Sequence, residues 1–564
     1  MKHPYSTVTL RLFILSLGLL PGLTQAAGDP ASPPELARPG YLPAKPEATF
    51  QLPPVPLSDA SPNDKDATVL IQHISFRGNT VIPTTELDTL AAPYIGRPLN
   101  ASDIETLRQS VSRLYVDRGY VNSGALLGTD AITGGTLRLD IVEGKLTSLQ
   151  LHGMQRLYDD YLRQRLCPNP DAVLNMDSLR EQFALLLNDP LFERLNARVL
   201  PGANLGEAIL DIEVQRARPY QLSLHVNNYR PPSVGANTAT LSGWVRNLTQ
   251  VGDVLEASVQ DSAQGEAGRR YGVGWRLPLN QRGTQISLQI DRGQSSVIEQ
   301  PLQTLDIRST LDSQDWGLSQ VLFESLRHKF SIGLNRSQRT NRTTLMDQPF
   351  SFVAAEPTGA TTVLATRFWQ EYSLRSEKQV LALRSTFAAS SNNLQDSAIV
   401  PGMPLPASQN ARIWLGQFHY ARQVQDNGAQ FIVRGTLQRS ADSLVALERM
   451  AIGGMGSVRG FRENQMTRDQ ATVLNLEYDY PLISNAGKGL NLALVPFYDW
   501  GWGRNQSEDG DTLAALGLGV RLRQGGFKLD FSVARRQIAP SSISSDGGNL
   551  QDKGLHLQLG YDFF

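Results

Sequence analysis

The stretch Thr472-Val-Leu-Asn-Leu-Glu-Tyr-Asp-Tyr480 decides the architecture of the larger part of this chain. It puts Leu474, Leu476, Tyr478 and Tyr480 on one face and Asn475, Glu477 and Asp479 on the other, the period-two signature of a β-strand. The same grammar continues outward in both directions. In Ala429–Ser440, Phe431, Val433 and Leu437 oppose Gln430, Arg434 and Gln438; in Lys528–Arg536, Leu529, Phe531 and Val533 oppose Lys528, Asp530 and Ser532. Strand follows strand from Arg218 to Phe564, with turns rich in Gly, Asn, Asp and Ser and no helical pattern. Alternation by itself also fits a soluble sandwich. About 345 residues is too much strand for one sandwich, however, and spread over ~16 strands it leaves roughly 20 residues per strand and connection, which suits tilted membrane strands. The expectation is a membrane β-barrel of about 16 antiparallel strands. The chain closes on Gly554-Leu-His-Leu-Gln-Leu-Gly-Tyr-Asp-Phe-Phe564, where Phe563 is in phase with Leu555, Leu557, Leu559 and Tyr561, and Phe564 lies one residue beyond.

Upstream the patterns change. Lys2 and Arg11, an apolar run Leu12–Leu20, and Thr24-Gln25-Ala26 have the layout of a secretory signal peptide over residues 1–26. The run is short of the roughly 20 apolar residues a spanning helix needs. Residues 27–67 read as a Pro-rich extended linker, with ten prolines between Asp29 and Asp66. From Thr68 to Pro83 a strand is expected. A helix follows, with Ser102 and Glu105 at capping-box spacing, a stripe of Ile104, Leu107, Val111 and Leu114, and Gly119 as its stop. Strands near Val121–Leu127 and Thr136–Val142 complete one α+β module, 68–144. The order recurs over 145–217: a strand near Leu151, helices over Asp159–Leu166 and around Leu179, Phe183 and Leu186, then two strands. Residues 218–564 are left for the barrel.

Composition excludes several functions. The 564 residues include 53 basic and 54 acidic ones, net charge −1, so no basic excess steers the chain onto nucleic acid. Cys167 is the sole cysteine, which rules out an intramolecular disulfide framework, a Cys-rich zinc site and an iron–sulfur cluster. The seven histidines are scattered without ligand spacing, and no G-x-S-x-G, H-E-x-x-H or P-loop motif occurs. Gly453–Gly460 only superficially resembles a dinucleotide loop, because Arg459 stands where its third glycine belongs. No catalytic residue, metal site or cofactor is expected, and the chain is not read as an enzyme.

Four segments carry a resemblance. Ile452–Gln465 (IGGMGSVRGFRENQ) resembles the signature loop of the Omp85 superfamily in its two-partner secretion branch. Leu114–Leu127 and Leu137–Gly153 resemble that branch's first POTRA domain, Asn228–Asp253 the opening of its barrel, and Pro496–Gly501 (PFYDWG) its F-x-D-x-G strand motif. The chain is therefore identified as a member of the TpsB transporters, the ShlB/FhaC/HecB hemolysin secretion/activation family. The resemblance implies a 16-stranded barrel in the outer membrane of a Gram-negative bacterium, embedded in lipid and lipopolysaccharide with the help of the barrel-assembly machinery. It also implies two periplasmic POTRA domains (68–144 and 145–217), and one large TpsA-type exoprotein as partner, an adhesin or a cytolysin. Members reverse the signature loop into the pore. Carried over position by position, Val458, Arg459, Gly460 and Phe461 form the loop tip and Asp499 is the carboxylate that Arg459 pairs with. Many members also carry an N-terminal plug helix, which the proline density here argues against.

The residues themselves bear on this assignment. Asp499 shares parity with Asn491, opposite Leu490, Leu492, Leu494 and Tyr498, so it points into the lumen. Gly453, Gly454, Gly456 and Gly460 offer positive-φ freedom for a tight reversal. Without the resemblance, the favoured reading is that Arg459 is an ordinary exposed loop arginine and Asp499 a lumen carboxylate with no specific counter-ion. The signature loop also fits a barrel-assembly insertase, against which two modules instead of a longer array argue; a passive porin needs neither modules nor loop.

Overall fold

The computed structural model describes residues 68–563 with breaks at 168, 170, 265–266, 354–355, 357, 396–404, 486–488 and 542–547, together with Tyr41, Phe50 and Gln51. The expected signal peptide, the plug-helix question, Phe564 and nearly all of the Pro-rich linker lie outside the described residues. The chain divides at Pro219 into an α+β unit and a barrel unit.

The two modules of the first unit share one plan. In the first, His73–Arg77 runs parallel to a central strand, Thr136–Val142, and Gly124–Leu126 runs antiparallel to it. In the second, Lys145–His152 is parallel and Phe192–Pro201 antiparallel to central Glu207–Arg216. The repeat extends to single positions. Gly78 and Gly153 each leave the first strand at positive φ, 94° and 83°, where a Cβ would stand 2.5 Å and 2.2 Å from the carbonyl oxygens of Ile141 and Val214 on the central strands. Only glycine fits that exit.

Local details depart from the sequence reading. The expected single strand after Thr68 is two, Thr68–Ile71 and His73–Arg77, because the chain switches at Gln72 from pairing with Arg97–Asn100 to pairing with Thr136–Val142. A further helix, Thr84–Ala91, follows Pro83, and the strand expected over Val121–Leu127 is confined to Gly124–Leu126. The long helix is Ala101–Asp117, and its cap is Asn100, not Ser102. The Asn100 side chain accepts from Asp103 N at 2.8 Å while Asp103 Oδ2 accepts from Asn100 N at 3.2 Å. Asn100 is still extended (φ −91°, ψ 172°), as a cap must be; Ser102 is already inside the first turn, and Glu105 turns instead to Arg108. The buried stripe is Ile104, Leu107, Val111 and Tyr115, with Leu114 only partly buried. In the second module Leu179, Phe183 and Leu186 of helix Met176–Leu186 are buried together, as their spacing predicts. One feature had no sequence signal: Phe50–Gln51, within the linker, adds a parallel strand to the free edge of Phe192–Pro201.

The barrel strands are numbered β1 to β16. They are β1 (Tyr220–Asn227), β2 (Thr238–Arg246), β3 (Val254–Ser262), β4 (Gly268–Pro278), β5 (Thr284–Ser296) and β6 (Ile307–Glu324). Next come β7 (His328–Leu345), β8 (Ala360–Arg375), β9 (Gln379–Asn392), β10 (Asn410–Gln423) and β11 (Gln430–Ser440). The last are β12 (Gln470–Asn485), β13 (Leu490–Arg504), β14 (Asp511–Gln524), β15 (Phe527–Ile538) and β16 (Leu555–Asp562). Each pairs antiparallel with its neighbours, and β1 with β16, so the sheet closes on itself. Closure leaves the sheet without a free edge strand, the condition for spanning a hydrocarbon layer with strands. Outward faces show Leu318, Leu334, Phe387 and Leu516; inward faces bury Asn475, Glu477, Asp499 and Ser532. Phe563 is 47 % exposed beside outward Tyr561 and Leu559, the phase its spacing predicts.

Candidate functional site

The connection from β11 to β12, Ala441–Asp469, does not stay outside. It forms a hairpin of two short strands, Met450–Ile452 and Met466–Arg468. Met450, Ile452, Val458, Phe461 and Met466 are buried against inward residues of β12 to β15, among them Val473, Phe497, Leu513, Ala515 and Ala534. An apolar cluster inside a polar lumen is what makes the loop dock against the wall instead of floating in water. The base is pinned as well, because Glu448 accepts from Arg367 of β8 at 2.6 and 2.7 Å.

At the tip the side chain of Arg459 is buried, and its carboxylate neighbours are too. Arg459 Nε and Nη2 donate to the two oxygens of Asp499 at 2.7 and 2.9 Å, a bidentate fork, and Arg459 N donates to the same carboxylate at 3.1 Å. Its Nη1 reaches Glu477 Oε1 at 2.9 Å. The guanidinium lies 3.4 Å from the centroid of the Phe497 ring. Arg459 is 2 % exposed and Asp499 0 %. Burying such charges costs several kcal/mol each unless they are paired and hydrogen-bonded, and here they are. Asn475 Nδ2 adds a bond to Asp499 Oδ1 at 2.8 Å and another to the Ser457 carbonyl, tying wall to loop. Glu477 is also bonded by Arg434, and by Arg521 at 2.8 Å; Arg521 in turn holds Asp479 at 2.7 Å. Three guanidiniums thus face three carboxylates.

The strand motif now has a steric meaning. Phe497, Asp499 and Gly501 all face inward at alternate positions of β13. Phe497 underlies the guanidinium, Asp499 grips it, and a Cβ on Gly501 would stand 2.7 Å from Ile452 and 2.8 Å from Val458, so its absence admits the loop. Among the loop glycines, Gly453, Gly454 and Gly460 adopt positive φ; Gly456 does not, and open space surrounds it. At Gly460 (φ 91°) a side chain would also strike Ala534 of β15 at 2.9 Å.

The structure brings together all five residues singled out from sequence, with Val458 and Phe461 buried on either side of the Arg459 fork. Glu477, Asn475, Arg434 and Arg521 were not singled out. Their signal was inward parity alone, shared with many lumen residues.

Known proteins place the chain. The sequence profile of the haemolysin secretion/activation protein ShlB/FhaC/HecB family matches residues 206–522, more than half of the chain. The chain belongs to this family. The ShlB-type POTRA domain profile matches residues 69–144. The outer membrane transporter CdiB of Escherichia coli O6:K15:H31 is 22% identical over 525 residues, covering 87% of this chain and 83% of that protein. The heme/hemopexin transporter protein HuxB of Haemophilus influenzae strain 86-028NP is 21% identical over 81% of this chain and 80% of that protein. A solved structure of CdiB from Escherichia coli superposes with a TM-score of 0.68 over 100% of this chain and 99% of that one, at 18% identity, which establishes the shared fold. This ShlB/FhaC/HecB member is thus an outer-membrane transporter of the two-partner secretion type, with its POTRA domains in the periplasm and a large TpsA exoprotein as the partner of its family.

Proposed function

We propose that this transporter takes up an unfolded exoprotein, an adhesin or a cytolysin, from the periplasm through its POTRA domains. It then passes the chain through the barrel once the pore loop is released from Arg459's anchorage. The observation that carries the reading is the buried fork of Arg459 on Asp499, seconded by Glu477: a plug held by ion pairs can be released and re-formed without covalent change. No phosphate-binding motif occurs in the sequence, so folding of the cargo outside supplies the drive. Recognition through main-chain pairing is supported by the edge of Phe192–Pro201, which already accepts Phe50–Gln51 as an added parallel strand. Lipid and lipopolysaccharide meet the outward apolar belt, and insertion proceeds through the barrel-assembly machinery.

The test is a deletion strain complemented with the wild-type chain or with Arg459→Ala. Wild type should restore one very large polypeptide to the surface or medium. Arg459→Ala should insert as a heat-modifiable barrel yet deliver less than a tenth of it. Normal delivery by inserted Arg459→Ala removes the lock from the mechanism. A broad fall of many barrel proteins in the deletion strain removes dedicated secretion.

A further inference from the structure

The barrel's closure is uneven. β6 pairs with β7 along nearly its whole length, but β1 meets β16 through Ser223–Asn227 against Gln558–Asp562 and one further backbone bond at each end, Asn228 N to the Leu557 carbonyl at 3.2 Å and Phe563 N to the Leu222 carbonyl at 2.9 Å. Just beyond the last pair, side chains reinforce the Asn228 backbone bond. Asn228 donates from Nδ2 to the Leu555 carbonyl at 2.9 Å and accepts from Leu557 N at 2.8 Å. Gln551, fully buried, donates to the carbonyls of Asn228 and, at 2.7 Å, Arg230. Asn228 and Arg230 follow β1, and Gln551 precedes β16, so these bonds are a staple across the seam.

The pore loop is fastened to that staple. Arg462, three residues past Arg459, forks onto Asp552 with Nε to Oδ1 at 2.6 Å and Nη2 to Oδ2 at 2.9 Å. The Asp552 side chain is 1 % exposed, and Arg462 also reaches Glu299 at 2.9 Å on the β5–β6 connection. The next residue's amide, Glu463 N, donates to Gln551 Oε1 at 2.8 Å, the same amide group whose nitrogen spans the seam. Gly460 N donates to Nε2 of His556 on β16 at 3.1 Å, and Arg536 of β15 donates to the Gly460 carbonyl at 2.7 Å. The Arg459 fork grips β12 and β13; this second set grips β15, β16 and the connection between them.

We propose that Arg462 and Asp552 form a second anchorage through which the docked loop holds the β1–β16 seam closed, so that lifting the loop also loosens the seam. Asp552 and Gln551 are adjacent, and Gln551 spends its carbonyl on the loop and its amide nitrogen on the residues just after β1. Loss of the loop-side bonds frees the Gln551 side chain to rotate, and the staple goes with it. A buried Asp552 without Arg462 is an uncompensated charge, which pulls the β15–β16 connection outward toward water. The lumen would then widen at its weakest pairing while the plug clears. The inference deepens the reading of the loop as a movable plug, but its test does not use secretion.

Hydrogen exchange read by mass spectrometry on the full-length protein in detergent micelles decides it. Arg462→Ala and Asp552→Asn, both checked for heat-modifiable assembly, should speed amide exchange in Tyr220–Arg230 and Leu555–Asp562 by at least tenfold and leave β7–β9 unchanged. Asp552→Asn keeps the side chain's shape and guards against failure of the alanine variant to assemble. Arg459→Ala should speed exchange in the loop and in β12–β13 with a smaller effect at the seam. Faster exchange at Glu463 with an unchanged seam in Arg462→Ala or Asp552→Asn overturns the inference. So does an equal loosening of the seam by Arg459→Ala, which would make the effect a general consequence of undocking.

Discussion

The periplasmic modules and the barrel are built on opposite interiors. Each module closes around buried Leu, Ile, Val and aromatic side chains, with Asp211 of the second module a buried carboxylate paired to Arg198. The barrel turns its apolar side chains outward to lipid and fills its lumen at the loop with three arginines and three carboxylates around a small apolar patch. Apolar burial is non-directional and holds whenever area is removed from water. Ion pairs are directional, and their net worth is small until one member is lost. A periplasmic module therefore gets permanence, and the docked loop gets a contact that is secure when complete and weak once one member is lost.

The largest effect should come from the module interior. Phe183→Ala, in the second module's buried cluster, should cost about 3–5 kcal/mol. Pulse proteolysis in urea should show the periplasmic unit lost early while the barrel band stays heat-modifiable. Joint loss of both would break the contrast between two independent interiors. Next is Glu477→Gln. Neutralising it leaves Arg434, Arg459 and Arg521 converging on an uncharged side chain, an imbalance of about 3 kcal/mol or more against the docked loop. Single-channel recordings in planar bilayers should show frequent open events where wild type is mostly closed. Raising salt should alter them little, since buried pairs are weakly screened. A quiet Glu477→Gln channel would reduce the lock to Arg459 and Asp499.

A smaller effect sharpens the comparison from the module side, where a carboxylate also matters but at the rim. Burial of the Glu143 carboxyl favours its neutral form, but bonds from Thr80, from the Val81 amide at 3.0 Å and from the Tyr115 hydroxyl at 3.0 Å outweigh it and hold the group below the usual carboxylate range. A depressed folded-state pKa means that this contribution is complete above the unfolded-state value and disappears as pH falls through the folded one. Urea midpoints of the periplasmic unit should thus drop on acidification below the ordinary glutamate range. Glu143→Gln should start about 1–3 kcal/mol lower at neutral pH and show a shallower acid slope. An unchanged slope would mean that other carboxylates carry the acid sensitivity.

How far the sequence reached follows the same division. Alternation is local, so the parity of Leu474 against Glu477, and of Tyr498 against Asp499, was readable and holds in the structure. Which inward residues meet was not. Arg521 on β14 bonds Glu477 on β12, two strands away, and only the stagger of the closed sheet brings them together. The loop tip's bonds to His556 and Asp552 cross some ninety residues of chain with no periodicity to announce them. In the modules the repeat was legible as element order, yet the sheet switch at Gln72 was not, because one alternating run serves two sheets without changing its pattern.

The smallest expected effect concerns the start of the long helix, which the sequence reading placed at Ser102 and the structure places at Asn100. Both Asn100…Asp103 and Ser102…Glu105 satisfy the three-residue interval of a capping box, and the structure uses the first. The decision belongs to the preceding strand: Asn100 pairs with Thr68, which holds its backbone extended and its side chain at the mouth of the helix. Ser102 is one residue past the first helical position, and the amides two and three residues beyond it already belong to the helix ladder. Asn100→Ala should therefore cost about 1 kcal/mol and Ser102→Ala within about 0.5 kcal/mol of nothing, read as shifts in the urea midpoint of the first module. Equal shifts would mean that the helix frays back to Ser102 in solution, and that strand pairing at Thr68 does not set where the helix begins.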